Sequence, residues 1–151
     1  MALTIAKDEV LRICERFRQD RGIYLGDAIP EAKSVNARAT FPIPLGIPLY
    51  VLVDCTVFGS NKNGLAICED GIRWHNDSTK KTHKTYFSWD EIAHAAIELK
   101  GSYEISFDNA AAVSMAGSSF KRERMLLLIW ELQTLCRQKS GGTQAGTSPS
   151  P

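Results

Sequence analysis

The 151-residue chain carries 18 Lys and Arg against 17 Asp and Glu, a formal net charge of +1. No molecule-wide field therefore draws it to nucleic acid or to an anionic membrane. Hydrophobic residues are 44% and charged residues 23%, the balance of one globular domain with a real core rather than of a disordered or fibrous chain.

Residues 4–20 read as a helix, with Val10, Ile13, Cys14 and Phe17 on one face, Thr4 as the N-cap and Gly22 as the stop. A lone helix of this length is marginal in water, so its apolar face must dock on something. Charges at Lys7, Asp8, Glu9, Arg12, Glu15 and Arg16 break up any long apolar stretch, so this segment does not read as a secretory signal. Residues 30–40 read as a second, shorter helix that Pro30 opens, with Ala32, Val35 and Ala39 as its apolar face. A strand over 33–41 is the competing reading. Pro42, Pro44 and Pro48 forbid continuation and stiffen the chain ahead of the next element.

From Val51 the period changes to two. Val51, Val53, Cys55 and Val57 alternate with Leu52, Asp54, Thr56 and Phe58, and a turn-rich stretch from Gly59 to Gly64 follows. Further strands are expected over 65–68, 72–75, 83–87, 93–99, 103–107 and 111–115, making seven. Asp70-Gly71 and Asp108-Asn109 supply tight turns. Ser88-Trp89-Asp90-Glu91 matches a capping box, S-x-x-E, and predicts one helical turn between strands. A helix over 120–138 follows, with Met125, Leu128, Ile129, Leu132, Leu135 and Cys136 as its main stripe and Leu127 and Trp130 widening it. Its apolar run, Met125 to Trp130, is far too short to span a bilayer. Residues 139–151 are mostly Gly, Ser, Thr, Gln and Pro with no large apolar anchor and are expected to be disordered.

Four cysteines, Cys14, Cys55, Cys68 and Cys136, form no C-x-x-C pair, and each lies in an apolar periodic segment. That is the usage of buried free thiols in a reducing compartment, and a cytoplasmic location is expected.

Seven short strands and then one long helix resemble the pleckstrin-homology-like fold over residues 49–138. That fold is a bent antiparallel sheet, or partly open barrel, capped by a C-terminal helix. A narrower likeness lies in V-D-C-T-V-F-G-S-N-K-N-G-L-A-I-C-E-D-G-I-R-W-H-N, Val53 to Asn76, and Y-F-S-W-D-E-I, Tyr86 to Ile92. These are similar to a poorly characterised bacterial group with a domain of this kind. Asp54, Thr56, Phe58, Gly59, Ser60, Lys62, Gly64, Gly71, Ile72 and Trp74 match its pattern, and Cys68 replaces the usual Thr. The segment Ile29-Pro30 to Asn36-Ala37 resembles the group's N-terminal lead-in. The resemblance implies an α+β architecture: two helices in a lead-in (1–48), a seven-stranded domain (49–138) and a tail (139–151). It implies no chemistry.

Catalytic signatures are absent from the sequence: no G-x-S-x-G, no P-loop, no G-x-G-x-x-G. The Asp90-Glu91 pair is explained by the capping box. His75, His83 and His94 lack a fourth-ligand pattern for zinc, and neither metal nor cofactor is expected. The expected activity is non-catalytic binding, of a protein or peptide first, at an open sheet edge or in the groove between an edge strand and the C-terminal helix. The N-terminal helix is either an internal cover for that surface or an arm that pairs with a second copy. The alternative is an anionic ligand or lipid headgroup held by Lys62, Arg73, Lys80, Lys81 and Lys84, and the second alternative is an enzyme, which would need a pocket with convergent polar groups. Trp89, inside the capped turn, is a candidate partner contact. No aromatic platform or helix-turn-helix pattern points to specific nucleic-acid binding.

Overall fold

The structure, a computed structural model, describes residues 2–41, 43–56, 59–60, 62–76 and 84–147, with the backbone alone from 142 onward. In chain order these residues form α1 (Lys7–Cys14), a 3-10 turn (Glu15–Phe17), β1 (Ile23–Leu25), a second 3-10 turn (Gly26–Ala28), α2 (Glu31–Thr40) and β2 (Leu49–Asp54). Then come β3 (Gly64–Cys68), β4 (Gly71–His75), β5 (Tyr86–Ser88), α3 (Trp89–His94), β6 (Ile97–Lys100), β7 (Glu104–Phe107), β8 (Ala111–Ser114) and α4 (Arg122–Thr147). Five strands form one sheet in the order β1-β2-β3-β4-β5 and three form another, β6-β7-β8. Every pairing is antiparallel. No ladder joins the two sheets among the described residues, so they do not close into a barrel.

The strand beyond the expected seven is β1, which pairs with β2 from Ile23↔Val53 to Leu25↔Val51. Three residues between Gly22 and Gly26 are too few to display a period. Two cores flank the five-stranded sheet, and the β2 alternation sorts between them. Val51, Val53 and Cys55 face the larger core with the second sheet, α1, α3 and α4. Leu52 faces a smaller core with Ala37, Phe41, Ala66 and Cys68. At the centre of the larger core, Trp74 of β4 stacks on Phe107 of β7 at 4.8 Å and on Phe87 of β5 at 5.9 Å. That contact holds sheet to sheet.

The first helix is shorter than expected and starts later. Its N-cap is Ala6, not Thr4, with no side-chain cap bond, and it passes into the 3-10 turn after Cys14. It is docked: Ile5, Val10, Cys14 and Phe17 are fully buried in the larger core. The second helix is a helix, not the competing strand, but it presents the other face. Ala32, Val35 and Ala39 are exposed, and Ala37 and Phe41 are buried. Polar anchors decide the orientation. Lys33 and Asn36 reach the loop after β2, and Arg38 Nη2 donates to the Ile47 carbonyl at 3.2 Å.

The β3–β4 hairpin turns at Glu69-Asp70, one residue earlier than expected, with Cys68 opposite Gly71. Gly71 opens β4 with φ +153°, and a Cβ there would collide with the Phe87 carbonyl of β5. Glycine is required for that close approach rather than for the turn itself. Asp108 and Asn109 both have φ +57°, as a two-residue turn of the hairpin kind needs. The capping box is complete. Ser88 Oγ accepts from the Glu91 amide at 3.2 Å, and Glu91 Oε1 accepts from the Ser88 amide at 3.0 Å. The helix it starts runs to His94, so the strand expected over 93–99 begins only at Ile97.

Where β4 ends, the side-chain amide of Asn76 bonds the edge of β8. Its Oδ1 accepts from the Ser114 amide at 2.9 Å and its Nδ2 donates to the Ser114 carbonyl at 3.1 Å. The fourth helix buries Met125, Leu128, Ile129, Leu132 and Cys136 and leaves Leu127 and Trp130 partly exposed. It continues through residues 139–147, where disorder is expected from composition. A Lys139–Glu9 ion pair at 2.9 Å supports the start of that extension. Gly141 and Gly142 are poor helix formers, and nothing in the sequence explains the rest.

All four cysteines are free and buried. Burial pushes the thiols of Cys14, Cys55 and Cys136 up to about 12 and that of Cys68 up to about 11. The thiolate is the reactive form. A thiol-exchange reagent at neutral pH is therefore expected to label none of the four in the native protein and all of them in denaturant. Rapid native labelling of any one would contradict its placement.

Candidate functional site

Of the six residues singled out in the sequence, four lie among the described residues, and three of these, Arg73, Lys84 and Trp89, are engaged within the fold. Lys80 and Lys81 lie outside the described residues. Lys62 is exposed, and only its backbone is engaged: its amide donates to Ser60 Oγ at 3.4 Å. Arg73 is buried and forked onto Asp70 at 2.6 and 2.8 Å, with its guanidinium 4.1 Å from the Tyr86 ring centroid. Burial pushes the Asp70 carboxyl up, but the Arg73 bonds outweigh it and hold the group below its ordinary value. Lys84 is paired with Glu91 and lies over the Phe87 ring. Trp89 is fully buried, and its Nε1 donates to the Glu69 carbonyl at 2.8 Å. It is a core residue, not a surface contact. Short i,i+3 spacing from Asp70 to Arg73 is the signal that would have marked that pair as structural.

The sequence motif Asp54-Cys55-Thr56 with Gly59-Ser60 becomes one network that binds α2 to the loop after β2. Lys33 Nζ donates to Asp54 Oδ2 at 2.6 Å and also to the Gly59 carbonyl. Asp54 Oδ1 accepts from the Thr56 amide at 2.8 Å, Thr56 Oγ1 accepts from the Ser60 amide at 2.9 Å, and Asn36 Nδ2 donates to the Ser60 carbonyl at 2.7 Å. Burial raises the Asp54 carboxyl, and the bonds from Lys33 and Thr56 together bring it below its ordinary value. Each oxygen is occupied by a partner within the fold, which makes the network a fastener. Lys33 and Asn36 carry it from the polar side of α2.

The surface with unfilled capacity lies along β6. Helix α4 runs antiparallel beside it and is stitched to it by side-chain donors. Arg122 Nη1 bonds the Gly101 carbonyl at 2.7 Å, Trp130 Nε1 the Ile97 carbonyl at 2.7 Å, and Gln133 Nε2 the Ala95 carbonyl at 2.7 Å. Leu127 lies in sequence between the first two anchors. Leu99 is 39% exposed, Leu127 38% and Trp130 45%.

No family model, curated protein or solved structure matches this chain.

The backbone of β6 adds hydrogen-bonding groups to that apolar seam. The Asp108 amide donates to the Ala96 carbonyl at 2.8 Å, and the ladder runs Ile97↔Phe107, Glu98↔Ser106, Leu99↔Ile105. In an antiparallel pair, alternate residues bond the partner. Ala96 and Glu98 therefore turn toward β7, while Ile97 and Leu99 turn their N–H and C=O outward. Only β7 pairs with β6 among the described residues. Trp130 occupies the Ile97 carbonyl, which blunts the edge without removing it. Sequence reasoning placed Trp130 in the core because its spacing fits the apolar stripe. An indole N–H that needs a partner was the available signal to the contrary. No group of three or more His, Cys, Asp or Glu positioned for a metal ion occurs among the described residues.

Proposed function

We propose that this chain is a non-catalytic recognition module of pleckstrin-homology-like design that binds an extended peptide segment of a partner protein along β6, beside α4. The observation that carries this reading is the outward-turned edge of β6 flanked by Leu99, Leu127 and Trp130. A strand added there gains main-chain bonds from the edge and apolar contacts for every second side chain. Support for the fold assignment comes from the order of elements. Four successive strands β2 to β5 lie in one sheet and three, β6 to β8, in the other, followed by α4, with β1 as an addition. Four buried free thiols support a cytoplasmic setting.

The anionic-headgroup alternative is less well supported. Arg73 and Lys84 are committed to Asp70 and Glu91, and that leaves Lys62 with two lysines outside the described residues. The docked α1 packs into the larger core, which argues against a free dimer arm, and it leaves β6 uncovered.

The test is panning of a random-peptide display library against the full chain and a Leu99→Lys/Leu127→Lys variant. Enrichment of extended peptides with alternating apolar positions is expected for the wild type, with affinity falling about tenfold or more in the variant. Bound peptide should also slow amide exchange at Leu99. Absence of enrichment, or equal binding by the variant, would overturn the proposal.

A further inference from the structure

The structure assigns a second site, independent of the β6 edge, that fits a small phosphate-type dianion. It lies where the turn before β1, the loop after β2 and the start of α4 meet. A cleft of about 450 Å³ there has Arg18, Arg21, Tyr24, Thr56 and Ser119 in its lining. A neighbouring cleft of about 330 Å³ shares Asp20, Arg21 and Ser119 and adds Lys121 and Arg124. The first has the size of an ordinary small-molecule site.

The charges of these clefts do not cancel. Three carboxylates lie in or beside them, and each has its own cation. Glu15 is forked onto Arg18 at 2.7 and 2.8 Å, Asp20 onto Arg124 at 2.8 and 3.2 Å, and Asp54 holds Lys33 at 2.6 Å. Arg21 and Lys121 remain, and neither has a side-chain partner among the described residues. Two uncompensated cations on one concave surface are complementary to a dianion.

Their convergence is built into the backbone. Gly22, next to Arg21, has φ +83°, and a Cβ on it would lie 2.8 Å from the amide nitrogen of Phe120, next to Lys121. Only glycine allows the two segments this close. The Gly22 carbonyl accepts from the Asp54 amide at 2.9 Å, which fixes the turn to β2. Arg21 and Lys121 thus flank one close contact, and both line the smaller cleft. Tyr24 and Ala28 give the larger cleft a partly apolar wall, suited to the organic part of a phosphate ester or to the glycerol end of a lipid headgroup.

The experiment is a titration of the full chain with inorganic pyrophosphate at low ionic strength, followed by amide NMR shifts. A second arm measures co-flotation with vesicles of phosphatidylcholine containing phosphatidic acid. Saturable shifts confined to residues around Arg21, Gly22, Thr56 and Ser119 are expected, weakened about tenfold by Arg21→Ala or Lys121→Ala and lost in the double variant. Both side chains lie at the surface, so the variants should keep the wild-type melting curve. Flotation that pyrophosphate competes away supports the site with a headgroup as its source. Shifts without flotation support it with a soluble ester. Absence of saturable shifts overturns the proposal, and so do shifts that survive in the double variant, which would mean an adventitious ion only. Peptide binding at β6 is read separately and is unaffected by either result.

Discussion

A chain lacking residues 1–22 is expected to lose cooperative folding. That segment contributes Ile5, Val10, Cys14 and Phe17 to the larger core, all fully buried. It is also tied down by polar contacts. The Ile5 amide donates to the Glu69 carbonyl at 3.3 Å, Tyr50 Oη donates to the Ile5 carbonyl at 3.2 Å, and the Leu3 amide donates to Asp90 at 3.0 Å. Truncating one large buried apolar side chain costs about 2–5 kcal/mol. Whole domains are stable by only about 5–15 kcal/mol, so losing four such groups exceeds what the remainder can sustain. A milder form of the experiment is Phe17→Ala. It removes the edge-on contact with Phe120 at 6.0 Å and should cost about 3–5 kcal/mol. At this chain length that lowers Tm by roughly 10 °C. The ion pairs between this segment and α4 (Arg16 with Glu131, Asp20 with Arg124, Glu9 with Lys139) lie at the surface. Each should contribute no more than about 1 kcal/mol. A truncated chain that melts cooperatively at the wild-type temperature would contradict the docked arrangement.

Lys33→Ala is expected to destabilise the protein by about 3–5 kcal/mol at neutral pH, because it leaves the Asp54 carboxylate buried without its cation. The side chain of Asp54 is 5% exposed and that of Lys33 14%, so water cannot substitute freely. The loss should depend on pH in a defined direction. The folded Asp54 value lies below the ordinary one. Its contribution is therefore complete above the unfolded value, about 3.9, and disappears as pH falls through the lower folded value. In Lys33→Ala the burial that raises the carboxyl is no longer outweighed by the lysine bond. Asp54 then protonates earlier, and the penalty shrinks as it does. Urea titrations at pH 7 and pH 3 should show a large difference between the two proteins at the first and a small one at the second. An unchanged difference at pH 3 would place the cost elsewhere, in the packing of α2 for example.

The sheet strands were legible wherever the period was clean. Val51, Val53 and Cys55 face one core and Leu52 the other, as alternation requires, and Ser88 with Glu91 forms the expected capping box. Positions governed by tertiary contacts were not legible. Val35 is 60% exposed because Lys33 and Asn36 turn α2 over toward the β2 loop, and no helical-period argument weighs a buried lysine above three small apolar residues. Trp89 and Trp130 exchange their expected places for a related reason. Each indole N–H goes to a backbone carbonyl, Glu69 for one and Ile97 for the other, and which ring is then covered depends on neighbours distant in sequence. Of the basic residues, Arg73 pairs with Asp70 at a spacing of i,i+3 that the sequence displays, whereas Lys84 meets Glu91 across the start of α3 only once the chain folds.

At the corner between the sheets, one side chain stands in for a whole strand. Asn76 presents an acceptor and a donor to the Ser114 main chain, as a peptide group would. An amide can do this and an acid cannot. Deamidation exchanges NH₂ for oxygen, so an acceptor would face the Ser114 carbonyl and the two would repel. An Asn76→Asp exchange would therefore leave this corner with one of its two stitches, at no change in side-chain size.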